Sequence, residues 1–417
     1  MVENNGENLV FLLCVPRSGS SLATVMLQNH TKVFATQEMW FLMSLYDLQH
    51  PSYRPYGGTG IIKQFFNGVM TSEIYEQACR AFSLQVYNGL LQSSQGAQLV
   101  VDKSPRYYYL LEFLDRLFPK SKRIWLVRNP LDIVASYKKV NRHTGETFDL
   151  KQKLLDSQFN IKMADITVGL FRYIQYFSAS HEQAYRLQYE RLAADPEQEM
   201  LRLCEFLGLP YEKGIEQYGQ FMDSAKSELF FSMGVGDPYV GKHDAPHLQS
   251  INNWKDVLDK EEVEMYCSAI GAQVFYDLGY GDQLEEAERY TGVTFTKQPN
   301  EELLSMRAAQ LMEASGCNWI PNYRLSSEPI GNTVVPQPEL SAGQEPIQQV
   351  NPELLQLQIK LRTLERRFDK CYIERERYRK ELSALRGKVN RMKAIVPFGK
   401  QMAKWASTYL VPSGRRT

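Results

Sequence analysis

The stretch FLLCVPRSGSSLATVML, residues 11–27, changes character twice, and its reading sets the architecture. Val10-Phe11-Leu12-Leu13-Cys14-Val15 is apolar and rich in β-formers, so it reads as a buried strand, far short of the roughly 20 apolar residues of a membrane span. Pro16 ends it. Ser18-Gly19-Ser20-Ser21 then offers hydroxyls, closely spaced backbone N–H groups and a glycine free to take positive φ. A helical pattern with apolar Leu22, Val25, Met26 and Leu27 follows directly. A helix entered this way attracts anions, because its unsatisfied N–H groups and its dipole point at the same place. The expected ligand is phosphate-like, although turns of this composition also serve as plain connectors. The nucleotide loop G-x-x-x-x-G-K-[ST] is not matched: no lysine precedes the hydroxyl pair, and Arg17 is the turn's only charge.

Two later segments repeat the plan. In LVVDKSPRYYYLLEFLDRLFP, residues 99–119, Leu99-Val100-Val101 reads as a strand and Asp102-Lys103-Ser104-Pro105 as a turn. Leu110, Leu111, Leu114 and Leu117 form the buried stripe of a helix ended by Pro119. In KRIWLVRNPLDIVASYKK, residues 122–139, Ile124-Trp125-Leu126-Val127 is the strand and Asn129-Pro130 the turn, with a helix from near Leu131 carrying Asp132 in its first turn. Arg128 leaves the strand end and Ser136 lies about two turns into the helix, so both are placed toward the mouth of a sheet; a local Arg128–Asp132 pair is the alternative. Three strand–turn–helix units, each with a cation or hydroxyl at the strand's carboxyl end, predict an α/β fold with a central parallel sheet and an anion-binding edge.

At 417 residues, 43% hydrophobic, the chain is long enough for a large domain with appendages. Cys14, Cys79, Cys204, Cys267, Cys317 and Cys371 show no metal-ligand spacing, which implies free thiols in a reducing compartment. His243 and His247 stand four apart but in a Gly- and Pro-containing stretch, so no metal is expected. The N-terminus MVENNGENLVF lacks a basic stretch before its apolar run, and a cytoplasmic protein without a secretory signal is expected. Whole-chain charge balances at 48 Lys and Arg against 48 Asp and Glu, yet residues 351–417 hold 17 of the former and 6 of the latter. That surplus of 11 leaves residues 1–350 acidic by 11, so an anion site there must concentrate its few cations locally.

Taken together, these segments resemble the sulfotransferase family that uses 3′-phosphoadenosine 5′-phosphosulfate (PAPS), with product 3′-phosphoadenosine 5′-phosphate (PAP). PRSGSSL looks like the family's 5′-phosphosulfate loop, and VRNPLDIVASYKK like its 3′-phosphate motif, an arginine with a serine eight residues on. LQYERLAADPEQEMLRLCEFLGLPYE, residues 187–212, and INNWKDVL, residues 251–258, followed by DLGY, are similar to the family's later motifs. The resemblance covers about residues 8–282 and implies a P-loop-like, three-layer α/β domain. By that likeness Arg17, Ser18, Gly19, Ser20 and Ser21 cradle the phosphosulfate, Arg128 and Ser136 hold the 3′-phosphate, and Tyr189 lies near the nucleotide. Lys242, in YVGKHD, reaches the cofactor only by loose analogy, and a solvated loop lysine is the alternative. The catalytic pattern resembles the branch that sulfates protein tyrosines: Glu38 stands 21 residues after Arg17, where that branch has its general base, and Lys103 stands where its transition-state lysine does. Glu38, Lys103 and Arg17 are thus the catalytic candidates, against a reading of Glu38 as a structural partner of Arg17 or Lys103.

The acceptor implied is a hydroxyl, with carbohydrate or a hydroxylated metabolite preferred and tyrosine left open. Residues 40–98 and 141–180 read as mostly helical insertions that wall an acceptor pocket, and their aromatics are as readily core. The expected organisation is a sulfotransferase domain at 1–298, a helix and Pro/polar-rich linker at 299–352, a coiled coil at 353–396 and a basic amphipathic tail at 397–417. Heptad positions run from Leu354 through Leu357, Leu361, Leu364 and Phe368 to Met392 and imply self-association over 354–392. The tail's Phe398, Trp405 and lysines fit peripheral membrane contact or a partner contact, and no nucleic-acid signature is present. Rival readings are a kinase or NTPase, which the missing loop lysine disfavours, and an oligomeric scaffold with a vestigial nucleotide site.

Overall fold

β1 (Leu9–Leu13) lies at the centre of a five-stranded sheet. It pairs in parallel with β3 (Leu99–Lys103) on one side and β4 (Lys122–Val127) on the other, Leu9 opposite Val100 and Val10 opposite Lys122. β2 (Val33–Ala35) and β5 (Ala184–Gln188) complete the order β2-β3-β1-β4-β5, every pairing parallel. This computed structural model describes residues 1–49, 59–68, 70–94, 96–144, 148–219, 245–326, 364, 368, 371–372 and 375–387.

A parallel sheet covered on both faces needs strands that are apolar throughout, and β1 is buried along its length. On one face Val10 and Leu12 join a core with Val25 and Met26 of α1 (Ser20–Asn29) and Met200, Leu203 and Leu207 of α11 (Pro196–Leu207). On the other, Phe11 packs on Tyr107 and Phe118 with ring centroids 6.0 and 6.2 Å away. The expected α/β architecture with a central parallel sheet and flanking helices is present. From β1 the chain runs outward to β2 and back to β3, then crosses to β4 and β5 on the opposite side. The carboxyl ends of β1 and β4 therefore border the switch point, where such sheets open a crevice.

The 40–98 region supplies α2 (Phe41–Asp47), α3 (Thr59–Gly68) and α4 (Ser72–Ser93). Several of its aromatics are packing residues, Phe41 meeting Tyr87 at 5.3 Å and Tyr46 meeting Phe113 at 5.6 Å. α6 (Pro130–Thr144) follows β4, and α7 (Leu150–Leu154) leads to a helical run over Ile161–Tyr176 interrupted by a π-helical turn, Asp165–Gly169. Beyond the sheet, the helix Glu301–Ser315 docks through buried Arg307, whose guanidinium donates to the carbonyls of Lys153 and Leu154 at the end of α7 and of Gln158 just after it. Trp319 Nε1 donates to the Tyr109 carbonyl at 3.0 Å, and the Tyr323 hydroxyl to Asp115 at 2.6 Å.

The chain divides into two units, residues 1–352 and 353–417. In the second, residues 375–387 are helical and expose Tyr378, Leu382 and Leu385. Of the expected helix and linker at 299–352, residues 327–352 lie outside the described residues, as do most of the coiled coil and the whole of the 397–417 tail.

Candidate active site

The loop after β1 takes two left-handed residues in three, Arg17 at φ 71° and Gly19 at φ 96°. Gly19 is the N-cap of α1 and lies flat against the Tyr189 ring; a Cβ there would stand 2.2 Å from Tyr189 Cδ2. Tyr189 opens α10 (Tyr189–Ala194) at the carboxyl end of β5, so the loop and the fifth strand meet through an aromatic lid. Ser18, Ser20 and Ser21 are all buried at this turn.

Arg17 Nε donates to Ser136 Oγ at 3.1 Å, which joins the first loop to α6. Arg128, buried at the end of β4, donates to the Arg17 carbonyl at 2.9 Å and the Ser250 carbonyl at 2.6 Å, and its guanidinium carbon stands 4.4 Å from the Tyr189 ring centroid. A planar cation on an aromatic face with its edge on carbonyls is held rigidly. The alternative of a local Arg128–Asp132 ion pair is not formed among the described residues. Asp132 instead accepts the backbone N–H groups of Asn252 at 2.9 Å and Trp254 at 3.0 Å, pinning the INNW segment beside α6. Burial raises the Asp132 pKa, and the Arg128 charge and those N–H groups oppose the rise.

Three buried polar atoms at this crevice, Ser18 Oγ, Arg128 Nε and Asn129 Nδ2, have no partner among the described residues. Each can donate a hydrogen bond, and buried donors left unpaired are rare in native folds. A multiply charged oxyanion is the complementary chemistry, so these residues fit a phosphate-bearing ligand.

The second half of the site sits across β3. Strand pairing continues past β2, with Thr36 N–H donating to the Val101 carbonyl at 2.8 Å and Lys103 N–H to Thr36 Oγ1 at 3.3 Å. Asp102 and Lys103, read from the sequence as a turn, are the last residues of β3, because Phe11 and Leu12 of β1 pair opposite them. Asp102 is buried yet satisfied by the hydroxyls of Tyr87 at 2.6 Å, Tyr107 at 3.0 Å and Ser104 at 3.3 Å, and burial pushes its carboxyl up to about 6. Lys103 is fully buried and donates to Glu38 Oε1 at 3.1 Å, while Glu38 remains partly exposed. A fixed cation and a solvent-facing carboxylate thus lie at one sheet edge.

Of the sequence-derived candidates, Arg17, Ser18, Gly19, Ser20, Ser21, Arg128, Ser136 and Tyr189 meet at one crevice, and Glu38 pairs with Lys103. Lys242 lies outside the described residues. Sequence reasoning did not single out Ser250, which contributes only a carbonyl, or Asn129, noted only as part of a turn. It also passed over Glu190, which accepts the Asn129 N–H at 3.0 Å and the Tyr280 hydroxyl at 2.5 Å. The YERL spacing carried Glu190 in plain view, but nothing local marks its partners.

A family model described as "Sulfotransferase family" matches residues 10–213. Nodulation protein NoeE of Sinorhizobium fredii (strain NBRC 101917 / NGR234) is 28% identical over 295 residues, covering 67% of this chain and 67% of that protein. Protein-tyrosine sulfotransferase 1 of Danio rerio is 26% identical over 225 residues, 54% of this chain and 59% of that one. Among solved structures, a sulfotransferase domain from the curacin biosynthetic pathway is 25% identical, covers 62% of this chain and 95% of its own, and has a TM-score of 0.42. The family match begins in β1, takes in Arg17, Glu38, Lys103, Arg128, Ser136 and Tyr189, and ends after α11, so residues 10–213 are similar to the sulfotransferase family.

Proposed function

We propose that this sulfotransferase takes its sulfuryl group from PAPS and passes it to an acceptor hydroxyl, with Glu38 as general base. The observation that carries the reading is the Arg17–Ser136 hydrogen bond, which ties the loop after β1 to the α6 serine and makes one anion cradle of two motifs. Arg17, Ser18, Gly19, Ser20 and Ser21 would hold the phosphosulfate end, Arg128 and Ser136 the 3′-phosphate, and Tyr189 the base or ribose, with Lys242 a further cofactor-binding candidate. The donor supplies an activated sulfuryl group. This chain's residues do the rest: Glu38 takes the acceptor proton, while Lys103 and Arg17 stabilise charge on the transferring group and leaving phosphate. The Lys103–Glu38 contact holds the carboxylate at the sheet edge, and the acceptor's arrival would divide the pair between its two tasks.

Carbohydrates and hydroxylated metabolites are the first acceptors to screen, and tyrosyl peptides the second, since relatives are named for protein-tyrosine sulfation. Self-association through 354–392, peripheral membrane contact through 397–417 and a cytoplasmic setting complete the proposal; among the described residues no helix is long and apolar enough to cross a membrane.

The test is calorimetric titration of PAP, ADP and ATP, with and without Mg²⁺. Metal-independent preference for PAP, lost in Arg128→Ala, is the expected result. Mg²⁺-dependent preference for ATP would replace the proposal with a kinase. With an acceptor in hand, Glu38→Gln should bind PAP normally and turn over about 10²–10⁴-fold more slowly; undiminished turnover would remove Glu38 as base.

A further inference from the structure

The candidate base is held by two residues, and only one of them is charged. Glu38 Oε1 accepts from Lys103, and Oε2 accepts from Trp40 Nε1 at 3.2 Å. Trp40 occupies a costly position. It is the N-cap of α2 and makes no side-chain cap, where Ser, Thr, Asp or Asn would supply one. Its backbone is left-handed at φ 57°, a region that a bulky side chain enters only when its surroundings compel it. Local helix energetics therefore do not select tryptophan here. Its side-chain contacts do.

The indole is itself braced. The Arg106 guanidinium carbon stands 5.4 Å from the Trp40 ring centroid. Arg106 is gripped by Asp165, with Nε 3.0 Å from Oδ1 and a terminal nitrogen 2.9 Å from Oδ2. Asp165, fully buried at the start of the π-helical turn, also accepts the hydroxyls of Tyr108 at 2.8 Å and Tyr137 at 2.7 Å. Tyr137 follows Ser136 directly, so the bracing chain runs from α6, through Asp165, Arg106 and Trp40, to the carboxylate. A π turn inserted at a residue with this many partners is a common mark of a functional position.

We propose that Trp40 is a positioning residue for Glu38: its indole N–H fixes the second carboxylate oxygen, and the Asp165-gripped Arg106 fixes the indole. The proposal rests on the reading of Glu38 as base. A carboxylate has about four lone-pair sites; Lys103 and Trp40 occupy two, and the partly exposed remainder faces an incoming hydroxyl. With Lys103 alone, the group would pivot about one contact, and misplacing a base by a fraction of an ångström lowers turnover without touching donor binding.

Among the described residues, charged and titratable groups near Glu38 include Lys103 from β3 and Cys14 beyond β1, whose thiol is pushed up to about 12 by burial; Arg106 and Asp165 stand behind the indole. The Asp102 carboxyl beside Lys103, pushed up to about 6 by burial, titrates in the same range, so the Glu38→Gln variant is what assigns the transition. The experiment is a ¹⁵N-indole titration of the full chain in the presence of PAP; the chain has five tryptophans, and the Trp40 signal is assigned by its loss in Trp40→Phe. The expected result is an inflection of the Trp40 signal below pH 7 that disappears in Glu38→Gln. In Trp40→Phe the Glu38 carboxyl carbon should move in chemical shift at fixed pH, because a donor to one of its oxygens is gone, with PAP affinity unchanged. A Trp40 signal that is flat, or equally pH-dependent in Glu38→Gln, overturns the positioning role while PAP binding stands. Failure of the intact chain to bind PAP overturns the donor reading instead, and the spectra tell the two apart.

Discussion

Replacing Gly19 by alanine should damage the protein in two separable ways. The first is backbone strain: φ 96° lies where an L side chain collides with its own carbonyl, at a cost of about 1–2 kcal/mol. The second is steric, since the new Cβ would sit 2.2 Å from Cδ2 and 2.5 Å from Cε2 of Tyr189, a ring that Arg128 holds from its face. Forcing a packed ring aside costs about 1–3 kcal/mol, for a total of about 2–5 kcal/mol. Gly292 separates the two terms. It is left-handed at φ 81° after the helix Gly281–Thr291, and a Cβ there meets nothing within 4 Å, so Gly292→Ala carries the backbone term alone. Urea unfolding of the two variants should differ by the steric share, and Gly19→Ala in a Tyr189→Ala background should fall back toward the Gly292→Ala value. An equal cost of Gly19→Ala in both backgrounds would refute the contact between loop and ring.

Three further outcomes are expected. Burial holds the Asp102 pKa at about 6, above the ordinary carboxylate value, so the native state keeps that proton where the unfolded chain has lost it. Its contribution is full below about pH 4, is lost as pH rises to about 6 and is flat above, a swing of roughly 3 kcal/mol that Asp102→Asn should erase from a stability–pH profile. Arg307→Ala leaves the carbonyls it serves at the end of α7 without a donor and should cost about 2–4 kcal/mol; Arg307→Lys should recover only part, since an ammonium cannot fork, and hydrogen exchange at 150–158 reads the local effect. Sedimentation of the full chain against one ending at residue 326 should show an oligomer and a monomer respectively; identical masses would end the self-association proposal.

Much of the fold was legible because parallel strands in a covered sheet are apolar on both faces. β1, the apolar start of β3 and β4 announce themselves, and the helices after them show their stripes. β2 has only Val33–Ala35 to show, and β5, with the sequence AYRLQ and much of its length half-exposed, lacks any such run. The observed β1 spans Leu9–Leu13 rather than Val10–Val15, since pairing with β3 and β4 ends before Cys14. The end of β3 was hidden because Asp102 and Lys103 look like turn residues until the tyrosines and Glu38 that neutralise them are placed around them. The resemblance named the residues of the crevice. It could not show that Arg128 rests on the Ser250 carbonyl, or that Asp132 serves Asn252 and Trp254, because those partners are about 120 residues away in the chain.

The tie between Asp132 and the INNW segment also bears on the order in which the molecule is made. Residues 17, 38, 103 and 128 leave the ribosome well before the stretch that supplies the Ser250 carbonyl and the two N–H groups for Asp132. At about 5–20 residues per second the interval is on the order of 10 seconds, long compared with the folding of a sheet's local units. During it Arg128 lacks one of its two carbonyl partners and Asp132 lacks the amides that offset its burial. On the proposed reading, a nascent chain stalled before residue 250 would therefore carry most residues of the cradle without the carbonyl and amides that complete it, so the cradle is finished late in biosynthesis.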